Sequence, residues 1–325
     1  MTHAIEMIDV VKRYGDFEAV AGVDLRVPPG ATYGLLGPNG AGKTTAIRMI
    51  LAIIEPTVGE IRVLGEPVSR DILDRVGYLP EERGVYKKMT VRRLLRFLAE
   101  LKGVRPRESA PRIDRWLERF ELEDWRDARL EELSKGMQQK IQFITTVLHD
   151  PEIVILDEPF SGLDPINQRV LREIIGDLKR EGKTILFSTH IIEHAERMCD
   201  HVCIIARGRK LVDGPLQQVK TDHAERYVSL ATADGSDARA ILAASTAVAT
   251  VRDPAGPGEA GRGVHSVSLR PGVDPNDLLE ELVARRVALR RFELVEPTLE
   301  QVFIERVGRD PAPEERLAER EVVHV

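Results

Sequence analysis

The chain has 325 residues, of which 42% are apolar and 31% are charged, and its formal net charge is −6. This composition predicts a soluble globular protein with one large domain, or with one large and one small domain. Acidic residues outnumber basic ones, which argues against a broad nucleic-acid-binding surface. No apolar run approaches the roughly 20 residues that span a bilayer, and the first residues lack the pattern of a secretory signal.

Residues 1–220 alternate short β-type runs with helical patterns, and such alternation implies a largely parallel sheet. A charged helical stretch within about residues 86–150 interrupts this alternation and predicts an inserted helical subdomain. The apolar runs predict strands over Ile5–Val11, Ala19–Val27, Thr32–Gly37, Gly59–Gly65, Glu152–Pro159 and Lys183–His190, with helices from about Lys43 and over Pro165–Arg180.

After residue 220 the pattern becomes β-α-β-β-α-β, which predicts a small ferredoxin-like α+β domain over residues 221–308. A loop rich in glycine and proline, Asp253–Gly263, separates its two middle strands. The final helix is expected to end near Gly308. Residues 309–325 are highly charged and are predicted to form a mobile tail.

The two cysteines, Cys199 and Cys203, lie in apolar sequence that predicts burial. Reduced, packed thiols and a cytosolic compartment are therefore expected. Together with His201 they lack a second pair of ligands, which argues against a zinc site.

The segment GPNGAGKTT fits the pattern G-x-x-x-x-G-K-[ST], with an apolar strand before it and a helix after it. Its glycines let backbone N–H groups turn toward phosphate oxygens, and the helix N-terminus favours anions. Lys43 can reach the β- and γ-phosphates, and the hydroxyl of Thr44 can ligate Mg²⁺. The predicted nucleotide-binding residues of this loop are Gly37, Pro38, Asn39, Gly40, Ala41, Gly42, Lys43, Thr44 and Thr45.

A second acidic element, IVILDEP, ends a predicted strand with Asp157 and Glu158. Asp157 fits a Mg²⁺ ligand, and Glu158 fits a general base for an attacking water. The next predicted strand closes with His190, near the expected γ-phosphate. Upstream of the glycine-rich loop, Tyr14 either stacks on a base or packs within a strand. An N-K-x-D segment, which a GTPase would need, is absent from the sequence.

In this order the motifs resemble the nucleotide-binding subunits of ABC transporters, over about Ile5 to Lys220. The resemblance implies an α/β fold: a P-loop NTPase of ABC type with an antiparallel β subdomain and the inserted helical subdomain. It implies Walker A at Gly37–Thr45, Walker B at Ile153–Asp157, catalytic Glu158 and switch His190, with Tyr14 stacking on the base. It also implies a signature at Ser134, Lys135, Gly136 and Met137, which contacts the partner's ATP, and a D-loop at Ser161, Gly162, Leu163 and Asp164.

Two motifs depart from the family pattern, the signature at two positions and the glutamine segment at one. Lys135 and Met137 replace a glycine and a glutamine of the usual signature, and Glu81 stands where a glutamine commonly helps to ligate Mg²⁺. The segments GYLPEERGVY, LSKGMQQK and LVEPTLEQVFIERVG are together similar to ATP-binding subunits of bacterial export systems. Those systems are associated with sodium ions, drugs or other small molecules.

The resemblance implies an ATP-hydrolysing homodimer that binds two ATP molecules head to tail. Thr44, Asp157 and Glu81 would organise Mg²⁺, and Tyr86–Leu133 would contact a separate polytopic permease. It implies a cytoplasmic subunit on the inner face of the cell membrane, with no nucleic acid as partner. Two alternatives are a soluble ABC-type ATPase acting on ribosomes or DNA, and an ATPase regulated by a ligand of residues 221–308.

Overall fold

The computed structural model describes residues 3–81, 88–223, 227–233, 235, 237–252, 264–270, 272–295 and 298–308. It divides into two compact units, Met1–Leu216 and Gln217–Val325, where the sequence predicts domains over 1–220 and 221–308. The predicted loop over 253–263 and the predicted mobile tail lie outside the described residues. In the part of the chain that is described, no helix is long and apolar enough to cross a membrane.

The first unit alternates strands and helices, as predicted. Its strands are β1 (Ile5–Tyr14), β2 (Phe17–Val27), β3 (Thr32–Leu36), β4 (Val58–Val63), β5 (Glu66–Pro67), β6 (Val76–Leu79), β7 (Ile153–Asp157), β8 (Thr184–Thr189), β9 (His201–Ala206) and β10 (Arg209–Pro215). Its helices are α1 (Lys43–Ile50), α2 (Arg70–Leu73), α3 (Val91–Leu101), α4 (Pro106–Arg119), α5 (Lys135–Val147), α6 (Pro165–Arg180) and α7 (Ile192–Met198), and α8 (Leu216–His223) follows β10.

The larger sheet of this unit has the strand order β10-β9-β3-β8-β7-β6 among the described residues. All neighbours are parallel except β9 and β10, which are antiparallel. Strands β3, β7 and β8 are buried along their whole length, because both faces of a parallel sheet are covered. Strand β8 lies between β3 and β7, so the carboxyl ends of these three strands meet at one edge.

A second, antiparallel sheet has the order β2-β1-β4-β5. Helix α1 packs between the two sheets, since one core cluster joins Ile5 and Leu25 of the antiparallel sheet, Ile47 of α1, and Leu35 and Ile155 of the larger sheet. The helix that follows the glycine-rich loop is thus held by apolar contacts from both sides. The predicted antiparallel β subdomain is confirmed by this arrangement.

The charged middle segment is helical where it is described, as predicted, and α3, α4 and α5 pack together. Three aromatic rings join α4 to α5: Trp116 and Phe120 stack, and both meet Phe143 edge-on. Helix α5 also packs against β6, which ties the helical subdomain to the larger sheet.

The second unit contains β11 (Tyr227–Thr232), α9 (Arg239–Ala243), β12 (Val248–Arg252), β13 (Val264–Leu269), α10 (Pro275–Ala284), β14 (Leu289–Val295) and α11 (Leu299–Gly308). The strand order is β12-β13-β11-β14, with antiparallel neighbours. Leu230 of β11 and Val267 of β13 share a core with Leu242 of α9 and Leu278 of α10. The predicted β-α-β-β-α-β order and its ferredoxin-like class are confirmed.

Gly77 of β6 lies against the backbone of α5, because a Cβ built there would be 2.1 Å from the carbonyl oxygen of Thr146. Replacing Gly77 by Ala is expected to lower the free energy of unfolding by about 2–3 kcal/mol, as overpacking does. Gly176→Ala on α6 is the matched control, since its Cβ meets the flexible end of Arg180 at 3.5 Å. It should stabilise the protein by about 0.5–1 kcal/mol. Chemical denaturation of the full chain measures the free energy of unfolding of both variants. An unchanged value for Gly77→Ala would contradict the close contact between Gly77 and the backbone of α5.

Candidate functional site

The glycine-rich loop connects β3 to α1 at the edge where the three parallel strands end. Gly42 is the N-cap of α1 and has φ 103°, a conformation that suits glycine. A Cβ at Gly37 would lie 2.2 Å from the carbonyl oxygen of Ile205, so the loop can pass β9 closely only without a side chain there. Within the loop, the Ala41 N–H donates to the carbonyl of Pro38 at 3.2 Å. The backbone thus folds into a tight turn that leads into a helix N-terminus, an arrangement that binds phosphate.

The side chains of Lys43, Glu158 and His190 meet at the centre of this edge. The Nζ of Lys43 donates to the carbonyl of Gly37 at 2.7 Å and lies 3.6 Å from Oε1 of Glu158. The same oxygen is 3.0 Å from Nδ1 of His190. Glu158 is buried, whereas the side chain of His190 is 47% exposed. Glu158 therefore contacts both other predicted catalytic residues, and the histidine faces the solvent side.

Burial lowers the pKa of Lys43, while the carboxylates of Glu158 and Asp157 act in the opposite direction. The net downward shift means that these two carboxylates compensate for desolvation only in part. A phosphate group beside Nζ would supply further negative charge and favour the protonated amine. The lysine is thus placed to bind an anion.

Asp157 ends β7 and is almost completely buried. Its Oδ1 accepts a hydrogen bond from the hydroxyl of Ser188, whereas its Oδ2 is buried with no hydrogen-bond partner among the described residues. An unpartnered carboxylate oxygen fits a hard cation such as Mg²⁺. The described residues contain no cluster of three or more His, Cys, Asp and Glu side chains that could hold a metal, so nucleotide oxygens and water would have to complete the shell.

Two adjoining clefts open at this edge, and both are lined by Glu81 and Glu158. The larger, of about 430 Å³, contains residues 39–45 of the glycine-rich loop, with Tyr14 and Phe17 at its rim. Tyr14 is 51% exposed and lies under the amine of Lys12, 5.2 Å from the ring centre. The exposed ring is available for stacking, unlike an aromatic packed within a strand. Asp157 lines the smaller cleft.

The signature segment begins α5. Ser134 is the N-cap, and its Oγ accepts from the N–H of Met137 at 3.3 Å, while Lys135 is exposed. Within the described part of the chain, residues 134–137 line neither cleft. The signature residues therefore contribute to neither of these clefts of their own chain.

The predicted D-loop leads from the acidic pair into α6. Ser161 lines the smaller cleft beside Glu158. Asp164 is the N-cap of α6, where its carboxylate accepts from the N–H of Asn167 at 2.9 Å. That hydrogen bond lowers the pKa of Asp164. Gly162 and Leu163 connect these two positions.

Two glutamines of α5 line the smaller cleft and are missing from the sequence-based set of site residues. Gln139 and Gln142 are both 7% exposed, and Nε2 of Gln139 donates to the carbonyl of Pro159 at 2.7 Å. Their spacing of three residues is the sequence signal, because it places both amides on one face of a helix. The helix that starts at the signature thus contacts the backbone one residue after Glu158.

Two family models match the chain. The model described as ABC transporter matches residues 20–161. The model described as the C-terminal domain of ATP-binding protein DrrA1-3-like proteins matches residues 214–307. The two matches fall on the two units of the fold.

Relatives and solved structures agree with these models. The uncharacterized ABC transporter ATP-binding protein YhaQ of Bacillus subtilis is 44% identical over 302 residues, which cover 92% of this chain and 97% of that protein. The Nod factor export ATP-binding protein I of Cupriavidus metallidurans is 39% identical over 217 residues, which cover 66% of this chain and 72% of that protein. A solved ATP binding subunit of an ABC transporter is 33% identical with a TM-score of 0.64, over 67% of this chain and 92% of that one.

If the Tyr14 ring stacks on the base of a nucleotide, Tyr14→Ala should weaken ATP binding by about tenfold, since a base–aromatic stack contributes roughly 1–3 kcal/mol. Tyr14→Phe keeps the ring and should bind ATP as the wild type does. Inorganic triphosphate, which has no base, should bind equally to all three proteins. Calorimetric titration measures these affinities. An equal loss of affinity for triphosphate would show that Tyr14 supports the loop and does not stack.

Proposed function

The chain belongs to the family of ABC transporter ATP-binding proteins, and on that premise we propose that it powers an exporter by closing a homodimer around ATP. The family identifies it as an ATP-binding and ATP-hydrolysing subunit of a transporter. The observation that carries the chemistry is the contact of the buried Glu158 carboxylate with Lys43 on one side and His190 on the other. Binding, water activation and stabilisation of the γ-phosphate can thus occur at one point.

In the proposed reaction the glycine-rich loop and Lys43 hold the phosphates, because backbone donors and a buried amine converge there. Thr44 and Oδ2 of Asp157 would hold Mg²⁺, with Glu81 at the mouth of both clefts as a further oxygen ligand. When bound, the ion would neutralise charge on the phosphate oxygens. Glu158 would take a proton from the attacking water while the bond between the γ-phosphorus and the bridging oxygen breaks, so that ADP and phosphate are released. His190, 3.0 Å from Glu158, would orient this carboxylate beside the γ-phosphate.

A second copy of the chain would complete the site. The predicted signature lines neither of the two clefts and lies at the N-terminus of a 13-residue helix that can favour an anion. In a head-to-tail homodimer, Ser134 and Gly136 would contact the γ-phosphate held by the partner, and Lys135 would add a positive charge there. ATP then bridges two chains, and hydrolysis removes the bridge.

The transporter assignment implies a membrane permease, and we propose that it docks on a groove of about 570 Å³ along α3. Arg92, Arg93 and Arg96 line this groove with Phe97, which is 41% exposed. Two carboxylates, Glu100 and Asp127, also line it. The net positive charge and the apolar ring suit a cytoplasmic helix of the permease that carries an acidic and an apolar residue. The subunit would therefore lie in the cytoplasm against the inner face of the membrane.

Export is the proposed direction of transport. The similarity to a Nod factor export ATP-binding protein supports it, as does the match of residues 214–307 to the DrrA1-3-like C-terminal domain. The proposed cargo class is ions, drugs or other small molecules, as in the export systems that the sequence resembles.

Transport into inside-out vesicles that contain this chain and its permease would test the direction. ATP-driven accumulation of the cargo inside these vesicles is the expected result.

Glu158→Gln should lower the rate of ATP hydrolysis by about 10²–10⁴-fold, because the amide cannot accept the proton of water. ATP binding should persist, and light scattering should detect an ATP-stabilised dimer. Glu152→Gln is the matched control, since this carboxylate lies just before β7 and pairs with Arg75 at 2.6 Å. It should leave hydrolysis unchanged. Hydrolysis by Glu158→Gln at the wild-type rate would refute the assignment of the base.

Arg93→Glu, alone or with Phe97→Ala, should weaken copurification with the permease at least tenfold, because it reverses charge and removes apolar contact in the groove. ATP binding by the subunit alone should not change. Arg107→Glu reverses a charge on α4, outside the groove, where the side chain is 74% exposed. It should copurify as the wild type does. Equal capture of all variants would exclude the groove as the docking surface.

A further inference from the structure

Ser188 is one of three polar residues in the fully buried strand β8, together with Thr184 and Thr189. It follows Ile185, Leu186 and Phe187 in β8, and its own exposure is 0%. In the sheet it pairs with Asp157 of β7 on one side and with the strand before the glycine-rich loop on the other. A hydroxyl buried this deeply destabilises the fold unless it is hydrogen-bonded.

Both partners of this hydroxyl belong to the acidic pair. The Ser188 O–H donates to Oδ1 of Asp157, and the Oγ of Ser188 accepts from the backbone N–H of Glu158 at 3.1 Å. The N–H of Glu158 also lies 3.2 Å from the carbonyl oxygen of Ser188. One residue therefore contacts the side chain of the first acid and the backbone of the second.

The hydrogen bond to Asp157 sets the direction of its carboxylate. Because Oδ1 is occupied, the other oxygen is left as the atom without a partner among the described residues. Without the hydroxyl the carboxylate could rotate and offer either oxygen. A ligand whose orientation is held by a neighbouring hydrogen bond binds a metal more tightly than one that must first be ordered.

The bond to the Glu158 N–H acts on the backbone. Glu158 has φ 49°, a left-handed conformation that is uncommon for a residue with a side chain. Here the chain leaves β7 and turns the carboxylate of Glu158 toward Lys43 and His190. The two acceptors on Ser188 hold the N–H in the orientation that this turn requires.

We propose that Ser188 is a positioning residue that orients Asp157 for Mg²⁺ and holds the backbone turn of Glu158. This role rests on the proposed functions of the two acids. It predicts that the hydroxyl governs divalent-metal affinity in the presence of ATP, and that metal-free binding of ATP does not depend on it.

The test uses the full chain with ATP and Mn²⁺ as the spectroscopic probe. Ser188→Ala should weaken Mn²⁺ binding, followed by electron paramagnetic resonance, by about 10–100-fold, and ATP binding in EDTA should be unchanged. Ser188→Thr retains the hydroxyl and should recover most of the metal affinity. Ser188→Cys is close to serine in size and keeps a weak donor, so its Mn²⁺ affinity should lie between those of the Ala and Thr variants. It replaces the alanine variant in this test if that variant does not fold.

Thr184→Val is the matched control. Thr184 begins the same strand, is buried, and accepts from the N–H of Gly30 at 2.9 Å, far along β8 from the acids. Loss of this hydrogen bond in Thr184→Val should lower thermal stability and leave the Mn²⁺ affinity unchanged. If Thr184→Val lowers the affinity for Mn²⁺ as much as Ser188→Ala does, the loss of affinity reflects general destabilisation and the proposal is wrong.

Asp157→Asn separates this inference from the function on which it rests. If Asp157→Asn leaves Mn²⁺ affinity intact, the metal role of that carboxylate fails, and the role of Ser188 fails with it. If Asp157→Asn lowers the affinity for Mn²⁺ and Ser188→Ala does not, Asp157 remains assigned as a metal ligand and only the positioning role of Ser188 is refuted.

Discussion

The buried carboxylate of Glu158 is the group on which the rest of the site depends. A carboxylate that is removed from water needs partners of opposite charge or hydrogen-bond donors, and here an amine and an imidazole supply them. Those partners come from separate points of the chain, after β3 and after β8. They can meet the carboxylate only because β8 lies between β3 and β7. The sheet order is therefore the constraint that assembles the chemistry.

The same edge of the sheet brings together some of the predicted site residues and not the predicted signature. The glycine-rich loop, the acidic pair and His190 converge, whereas Ser134 to Met137, at the start of α5, line neither of the two described clefts. Further along the same helix, Gln139 contacts the backbone one residue after Glu158. In the proposed dimer, the element that touches one ATP molecule would thus be physically joined to the residues that hydrolyse the other.

The sequence predicted the motifs well because each is local. The glycine-rich loop, the strand that ends in two acids and the N-cap of α5 need only neighbouring residues to be recognised. The β-α-β-β-α-β order of the second unit was also predictable, since each element carries its own apolar periodicity. The strands β6 and β10 were not predicted as such, because each is short or lies at a sheet edge, where a neighbouring strand rather than its own apolar pattern makes it a strand.

The sequence by itself determined which residue types stand in the glycine-rich loop, at the ends of β7 and β8 and at the start of α5. Those residue types were enough to indicate the family. The tertiary structure alone decided which of these side chains touch. It placed Glu158 between Lys43 and His190, left one oxygen of Asp157 without a partner among the residues that the structure describes, and put the hydroxyl of Ser188 against both acids. These contacts join residues far apart in the chain, so they follow from strand order and register, which local sequence does not encode.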